Sequence, residues 1–311
     1  MAQQLIRSGA VAAIAMAGLA GLTYAGGAIA DGDAVMIFQG IPPFSMATGD
    51  STLFTDSTLV DESYKYSWYY RTAGNNTNRL FSSLNTPTEN YRENEATFVW
   101  TDAGPGVEGQ ERFDAKLIVR LYDGPRPHAV RVEHTLEFKS HSNTTQTFQV
   151  FNIVDLDLEA TASNDTVQIA DSSRVLARQK DTSTNAYSEI VGTGATRFEV
   201  GTGTALRNKL NSGSANLSNA VGPVNGDAAA AMQWTLTLAP GETRVIRGGF
   251  TINMAGPCPA DLNHDGFVNG DDFDLFASAF ESGTFTADFN LDGFVNGDDF
   301  DAFASYFEGG C

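Results

Sequence analysis

The residues best suited to chemistry stand in a repeat near the end of the chain. The segment DLNHDGFVNGDDFDLFASAF begins at Asp261, and its near-copy DFNLDGFVNGDDFDAFASYF begins at Asp288. In both copies acidic and amide side chains recur at alternate positions before a glycine. Ca²⁺ takes six to eight oxygen ligands at about 2.3–2.6 Å, and short Asp and Asn side chains supply them without crowding. The duplicated unit therefore predicts two calcium-binding loops.

Each copy fills every ligand position of a twelve-residue EF-hand loop, namely positions one, three, five, seven, nine and twelve. The first copy supplies Asp261, Asn263, Asp265, the carbonyl of Phe267, Asn269 and Asp272, and the second supplies Asp288, Asn290, Asp292, the carbonyl of Phe294, Asn296 and Asp299. Gly266 and Gly293 occupy position six, where the loop reverses sharply. A solvated acidic face is the alternative interpretation. Because the complete pattern occurs twice, two Ca²⁺ ions are the predicted cofactors.

An apolar stripe follows each loop at helical spacing. The stripes consist of Phe273, Phe276 and Phe280, and of Phe300, Phe303 and Phe307. Three- and four-residue spacing places such side chains on one face of a helix. We therefore expect one helix after each loop, with the two stripes burying each other and Val268 and Val295 lying between the loops.

A second group of acids, Asp155, Asp157 and Glu159, lies two residues apart in VDLDLEA. A strand would point all three to one face, as a carboxylate pair for glycoside hydrolysis or as a further cation site. The alternative is a polar outer strand face, and it is favoured because no comparable acidic segment appears as a partner. These three are only weak catalytic candidates. His128, His134 and His141 lack metal-ligand spacing to a carboxylate and are interpreted as structural or surface residues.

Four aromatic residues, Tyr64, Tyr66, Trp68 and Tyr70, share one parity and therefore one strand face. Exposed, such a strip could stack on sugar rings and bind carbohydrate. The alternative is that the strip belongs to the core, as large aromatic residues usually do.

The elements that must position these residues are mostly strands. Alternating patterns occur in residues 112–122, 128–139, 146–155, 231–238 and 243–253, with turn residues between them. Short alternating strands without helical periodicity predict a mainly β fold, an antiparallel β-sandwich, over residues 31–254. The segment 201–229, rich in Gly, Ser, Asn and Ala, predicts a long surface loop or lid. Residues 255–260 form a linker, and residues 261–311 form the small helical calcium-binding module.

The first thirty residues have the pattern of a signal peptide. Arg7 precedes an apolar stretch, and Ala28-Ile29-Ala30 offers a cleavage site, with a cut after Ala25 as the alternative. No later stretch predicts a transmembrane segment. The chain has 38 acidic and 19 basic residues, so removing Arg7 changes the formal charge from −19 to 18 − 38 = −20. We expect a secreted or cell-surface protein that does not bind nucleic acid, whose phosphates it would repel.

A calcium loop followed by a single helix, duplicated at the end of an exported chain, resembles a dockerin. With Cys258 before the first loop and Cys311 after Gly310, it most resembles the GC-type dockerins of planctomycete-like bacteria. The resemblance covers residues 258–311, and Asp at loop position twelve agrees with it. It implies a cohesin-like partner bound through loop positions ten and eleven, which are Gly270, Asp271, Gly297 and Asp298. These residues depart from the small or hydroxyl residues of cellulosomal dockerins, but they are identical in both copies.

The two cysteines bracket the module, and an even count in an exported chain favours a disulfide between Cys258 and Cys311. The competing interpretation is that Cys311 is free or is a processed anchor. The phrases SWYYRTAGNNTNRLF, FNIVDLDLEA and QWTLTLAPGET are similar to those of a loosely defined group of exported bacterial β-sandwich proteins. That resemblance implies no activity.

Three functional hypotheses follow. The first is an exported calcium-binding protein, attached through its dockerin-like module to a cohesin-like partner or the cell envelope, whose sandwich binds polysaccharide or envelope material. The second is a dockerin-borne glycoside hydrolase or polysaccharide lyase. The third is a structural surface-layer protein. The sequence favours the first, non-catalytic hypothesis.

Overall fold

The computed structural model describes most of the chain between residues 27 and 309. The described residues are 27–38, 51–54, 61–72, 75–104, 112–124, 129–161, 163–173, 175–184, 186–253, 260, 262, 268–283, 287, 289 and 295–309. Within them, no helix is long and apolar enough to cross a membrane.

Strands dominate the described residues, and we number them in chain order. They are β1 (Ala28–Asp31), β2 (Ala34–Phe38), β3 (Ser51–Phe54), β4 (Ser63–Arg71), β5 (Arg79–Leu80), β6 (Thr88–Arg92), β7 (Glu95–Ala103), β8 (Phe113–Asp123), β9 (Val130–Ser140), β10 (Gln146–Leu156), β11 (Asp165–Asp171), β12 (Leu176–Asp181), β13 (Tyr187–Thr193), β14 (Arg197–Thr202), β15 (Val224–Asn225), β16 (Ala228–Leu238) and β17 (Thr243–Ile252). Short 3₁₀ turns occupy Phe81–Ser83 and Leu158–Ala160. The five segments predicted to be strands coincide with β8, β9, β10, β16 and β17.

The strands form antiparallel sheets. One sheet has the order β14-β16-β10-β4-β5, a larger one has the order β15-β11-β12-β13-β17-β9-β8-β7-β6, and a small one has the order β1-β2-β3. The two larger sheets pack face to face. Trp68 of β4 lies 4.8 Å from His134 of β9 between ring centroids, and Phe148 of β10 lies 6.0 Å from Phe113 of β8. The prediction of a mainly β, antiparallel fold is confirmed.

The alternating pattern of the sequence decides which residues of each strand share the face that enters the core. In β8, Phe113, Leu117 and Leu121 are buried, whereas Lys116 and Arg120 between them are only partly buried. Successive strand side chains point to opposite faces, so one face of β8 enters the core and the other meets solvent. Strands β7 and β9 show a similar alternation of buried and less buried residues.

The prediction of a long surface loop over residues 201–229 is wrong for residues 203–211, which form a helix, whereas residues 212–223 are irregular and mostly exposed. Helix α1 (Gly203–Asn211) begins after Thr202, whose hydroxyl accepts a hydrogen bond from the amide of Ala205. Leu206 and Leu210, four residues apart, are buried against the outer face of the five-stranded sheet together with Leu217. A threonine cap and an i, i+4 leucine pair stabilise this helix despite the loop-like composition around it.

Two further helices end the described chain, α2 (Gly270–Glu281) and α3 (Gly297–Gly309). The predicted packing of their phenylalanine stripes is confirmed, because Phe276 and Phe303 stack with ring centroids 4.0 Å apart. Ala260 and Ala287 are buried with them, and Val268 and Val295 pack at the edge of the cluster. The C-terminal region thus has an apolar cluster of its own.

The first strand begins before Asp31, the expected start of the mature chain. Strand β1 starts at Ala28 and pairs with β2, and Ile29 is buried in the main core. The amide of Ala30 also donates a hydrogen bond to the carbonyl of Glu93. Ala28–Asp31 is therefore part of the folded sandwich.

Candidate functional site

The predicted calcium loops are described only where they join their helices. Asn269, Asp272, Asn296 and Asp299 are described. The other predicted ligands, Asp261, Asn263, Asp265, Phe267, Asp288, Asn290, Asp292 and Phe294, lie outside the described residues. Cys258 and Cys311 also lie outside them, so their pairing stays a prediction.

The last residue of each predicted loop is a fully buried aspartate. Asp272 accepts a hydrogen bond from the amide of Asn269 at 3.0 Å, and Asp299 accepts one from Asn296 at 2.8 Å. The other carboxylate oxygen of Asp299 accepts a 2.7 Å bond from the amide of Phe289. Asp299 therefore ties the second residue of its loop to the ninth, and its carboxylate lies between the two ends of the loop.

The helix starts are built identically in both copies. Oδ1 of Asn269 accepts a hydrogen bond from the amide of Asp271, and Oδ1 of Asn296 accepts one from Asp298, both at 2.8 Å. These bonds satisfy amides that the first helical turn leaves unpaired. Carboxylate and amide oxygens of this kind fit a hard cation such as Ca²⁺.

The predicted partner-binding residues lie at the exposed starts of α2 and α3. Gly270, Asp271, Gly297 and Asp298 are all exposed. A Cβ added at Gly270 or Gly297 would have no atom within 4 Å, so neither glycine is required for packing. These positions are accessible to a partner.

The second acidic group does not lie on one strand face as predicted. Asp155 is fully buried near the end of β10, Asp157 follows the strand, and Glu159 lies in the 3₁₀ turn with a φ of 55°. The pairing of β10 with β4 shifts register between Asp155 and Leu156, and such a bulge re-aims the following side chains. The alternative of a polar outer strand face is also wrong for Asp155, which has no exposed surface.

The structure brings Asp155 and Asp157 together with a residue that the sequence analysis missed, Asp227. One carboxylate oxygen of each lies within 4.8 Å of the others. Asp227 stands in the turn before β16, and its carbonyl accepts a 3.0 Å hydrogen bond from the amide of Gly203. The β10–β16 ladder pairs Asp155 with Ala229, which holds the two segments in register. We call Asp155, Asp157 and Asp227 the carboxylate cluster.

One guanidinium accompanies the carboxylate cluster. Arg207 of α1 forms an ion pair with Oδ2 of Asp155, whereas Oδ1 of Asp155 has no hydrogen-bond partner among the described residues. A Cβ at Gly203 would lie 2.1 Å from Oδ2, so only glycine lets the start of α1 approach this closely.

Burial dominates the electrostatics at this end of the sandwich. It raises the pKa of Asp155 to about 7, against the lowering effect of Arg207, and it also raises the pKa of Asp157. Burial likewise raises the pKa of Glu62 to about 7. Oε2 of Glu62 accepts a 2.7 Å hydrogen bond from the backbone amide of Glu159, and the charge of Glu159 adds to the raised pKa of Glu62.

The predicted sugar-stacking strip is not exposed. Tyr66, Trp68 and Tyr70 do share one face of β4, but that face points into the core, where all three are buried. Trp68 stacks on Trp234 with centroids 6.0 Å apart, inside the sandwich. The side chain of Tyr64 lies outside the described residues. The exposed interpretation is therefore wrong for the three described rings, and carbohydrate binding by the sandwich stays a prediction without this strip.

The histidines occupy unlike environments. His134 is buried between the sheets, and neither of its ring nitrogens has a hydrogen-bond partner among the described residues. His141 is half-buried at the surface, with Nε2 2.8 Å from Oδ2 of Asp114 and Nδ1 3.5 Å from Oδ1 of Asp102. His128 lies outside the described residues. Two open surface clefts share Asp102 as a lining residue.

No protein-family model matches this chain. No curated protein matches it either. Among solved structures, an Escherichia coli K12 protein provisionally assigned as an aldose 1-epimerase is 9% identical, with a TM-score of 0.46, over 73% of this chain and 98% of the other. A bacterial glucoamylase in complex with acarbose is 8% identical, with a TM-score of 0.47, over 88% of this chain and 37% of the other. At these TM-scores the likenesses carry no functional argument.

Proposed function

We propose that this chain binds two Ca²⁺ through its C-terminal loops and uses the loaded module to attach to a cohesin-like protein or to the cell envelope. The observation that supports this most directly is Asp299. Its buried carboxylate accepts amide hydrogen bonds from Phe289 and Asn296, near the start and the end of the same predicted loop. A loop drawn together around an aspartate is suited to converge oxygens on one ion.

Charge provides the second support. Residues 258–311 hold twelve Asp or Glu and no Lys or Arg. Phe276 and Phe303 pack together, so the two helices that follow the acidic segments share one small core, and like charges on those segments would oppose this packing. Bound Ca²⁺ supplies positive charge that offsets this repulsion, so folding of the module and ion binding are coupled.

The attachment surface follows from the equivalent starts of α2 and α3. Gly270 and Asp271 occupy the same positions in α2 as Gly297 and Asp298 do in α3, and all four are exposed. Identical residues at both starts would let a partner bind the module in either of two related orientations. The partner surface should be basic or amide-rich to complement Asp271 and Asp298.

Limited proteolysis of the full chain tests the calcium step. Chymotrypsin needs no metal ion and cleaves after aromatic residues, which the module has in both stripes, whereas trypsin has no site in residues 258–311. With Ca²⁺ the module should resist chymotrypsin, and with chelator it should be digested while the sandwich survives. The Asp272→Asn, Asp299→Asn double variant should be digested under both conditions. Equal protection with and without Ca²⁺ in the unmodified chain would refute calcium-dependent folding.

A binding assay with isolated envelope from the source organism tests attachment. Binding should be reversed by chelator and lost when Asp271 and Asp298 are both changed to Lys. The matched control changes Glu281 and Glu308 to Lys, at the far ends of the same helices, about 15 Å away along the axis. Loss in both pairs of variants would indicate non-specific electrostatics, and retention in both would place the partner elsewhere.

A further inference from the structure

The carboxylate cluster draws its members from separate parts of the sandwich. Asp155 and Asp157 stand at the end of β10, whereas Asp227 comes from the turn before β16. One carboxylate oxygen of each residue lies within 4.8 Å of the others. Ligands at about 2.3–2.6 Å from a Ca²⁺ ion can stand up to about 5 Å apart, so this spacing suits one shared ion.

An independent observation points to a ligand. The side chain of Asp155 is 0% exposed, and its Oδ1 has no hydrogen-bond partner among the described residues. Its other oxygen is already held by Arg207. A buried carboxylate oxygen without a donor is unfavourable, because the protein replaces none of the water that it lost. A cation between Oδ1 and the neighbouring carboxylates would satisfy it.

The charge of the carboxylate cluster also favours a divalent cation. Three carboxylates carry a formal −3, and the guanidinium of Arg207 contributes +1, which leaves −2 for these four groups. One divalent ion neutralises that charge. Asp157 and Asp227 are only partly buried, so an ion and its remaining water ligands can enter from solvent.

The chemistry of the ligands favours one kind of ion. All three side chains offer carboxylate oxygen, which hard cations prefer to softer metals. Ca²⁺ accepts irregular oxygen cages, whereas Mg²⁺ demands near-ideal octahedral geometry and retains most of its water. A site built from a strand end and a distant turn suits the less demanding ion.

We infer that Asp155, Asp157 and Asp227 bind one Ca²⁺ in the sandwich, separate from the two ions proposed for the C-terminal module. Through this ion, the turn before β16 and the end of β10 are linked where α1 begins. The site is independent of the proposed function, since it shares no residue with the C-terminal loops.

Calorimetric titration of Ca²⁺ into the full chain tests the site. The titration uses a background variant of the full chain with Asp261→Asn and Asp288→Asn, which remove the charge of the first proposed ligand of each C-terminal loop. This chain should bind one Ca²⁺, and Mg²⁺ should bind more weakly. Asp227→Asn and Asp157→Asn should each weaken binding at least about tenfold, because each removes a charged ligand. The matched control, Asp33→Asn, changes an exposed aspartate in the turn between β1 and β2 and should leave the affinity unchanged.

Thermal unfolding separates an ion site from a structural role. Ca²⁺ should raise the unfolding midpoint of the background chain but not that of its Asp227→Asn or Asp157→Asn variant. In chelator both variants should be at least as stable as the background chain, because each lacks one of the mutually repelling carboxylates. Absence of Ca²⁺ binding in the background, or undiminished binding in both variants, would overturn the inference. The number of Ca²⁺ ions bound by the unmodified chain separates the two proposals. Three bound ions support both sites. Two ions whose binding is unaffected by Asp227→Asn support the C-terminal loops alone, and a single ion whose binding is lost with Asp227→Asn supports the sandwich site alone.

Discussion

The buried histidine predicts an acid-sensitive sandwich. Burial lowers the pKa of His134 from 6.5 to about 3, because its imidazolium would lie between aromatic rings without a hydrogen-bond acceptor. The unfolded chain therefore takes up this proton below about pH 6.5, whereas the folded chain stays neutral until about pH 3. Stability rises with pH where the unfolded state binds more protons, so His134 destabilises the fold progressively as the pH falls between these values.

The size of the effect follows from the two pKa values. One pKa unit corresponds to about 1.4 kcal/mol, so His134 should lower the free energy of unfolding by about 3 kcal/mol at pH 4.5 and by about 4 kcal/mol near pH 3. Glu62, Asp155 and Asp165 act in the opposite sense, because their pKa values are raised to about 7 in the fold. Only the difference between a variant and the unmodified chain isolates the histidine.

The perturbation is His134→Leu, which removes the titrating group and breaks no hydrogen bond of its ring. Urea unfolding is followed by tryptophan fluorescence, since all three Trp residues are buried in the sandwich. At pH 7.5 the free energy of unfolding of the variant should lie within about 1.5 kcal/mol of that of the unmodified chain. At pH 4.5 the free energy of unfolding of the variant should have risen by about 2–3 kcal/mol relative to that of the unmodified chain. Trp68→Phe, beside the same ring, should shift stability equally at both pH values. Parallel pH profiles for His134→Leu and the unmodified chain would refute the argument.

Three further predictions concern packing and processing. Phe276→Ala should destabilise the C-terminal module by about 3–5 kcal/mol and expose it to chymotrypsin even with Ca²⁺, whereas Phe273→Ala, at a side chain 39% exposed, should retain much of the protection. Gly248→Ala should lower sandwich stability by at least about 1–3 kcal/mol in urea unfolding, because its Cβ would lie 2.4 Å from a backbone carbonyl oxygen, and an unchanged midpoint would contradict that contact. When the full chain is expressed in a secreting bacterial host, mass spectrometry of the processed product should place the cut after Ala25, because a cut after Ala30 would remove most of β1.

Local patterns made the strands predictable and hid one helix. The alternation in residues 112–122 has a period that only a half-buried strand satisfies, and it became β8. Helix α1 was missed because Gly, Ser and Asn surround it, although Thr202 followed by Leu206 and Leu210 was a usable signal. The aromatic strip on β4 illustrates a different limit. Parity predicts that its rings share a face, but not whether that face meets solvent or another sheet.

The two candidate sites differ in how far apart their residues lie in the sequence. The proposed ligands of the C-terminal loops lie close together in the chain, so the calcium loops could be proposed from the sequence alone and remain a prediction. The helices after them were predicted from the same repeat and are confirmed. The carboxylate cluster could not be completed from the sequence, because Asp227 carries no local signal connecting it to Asp155. Its position depends on the pairing of β10 with β16, and the bulge at Asp155 separates Glu159 from the group.

The sequence by itself determined the strand periodicity, the duplicated loops and the helices after them, because each depends on residues close together in the chain. Only the tertiary structure decided which faces became core, which side chains from distant segments converged, and that His134 and Asp155 lost their water. Burial and long-range convergence depend on how whole sheets pack, and that packing is the sum of many contacts that no short pattern contains.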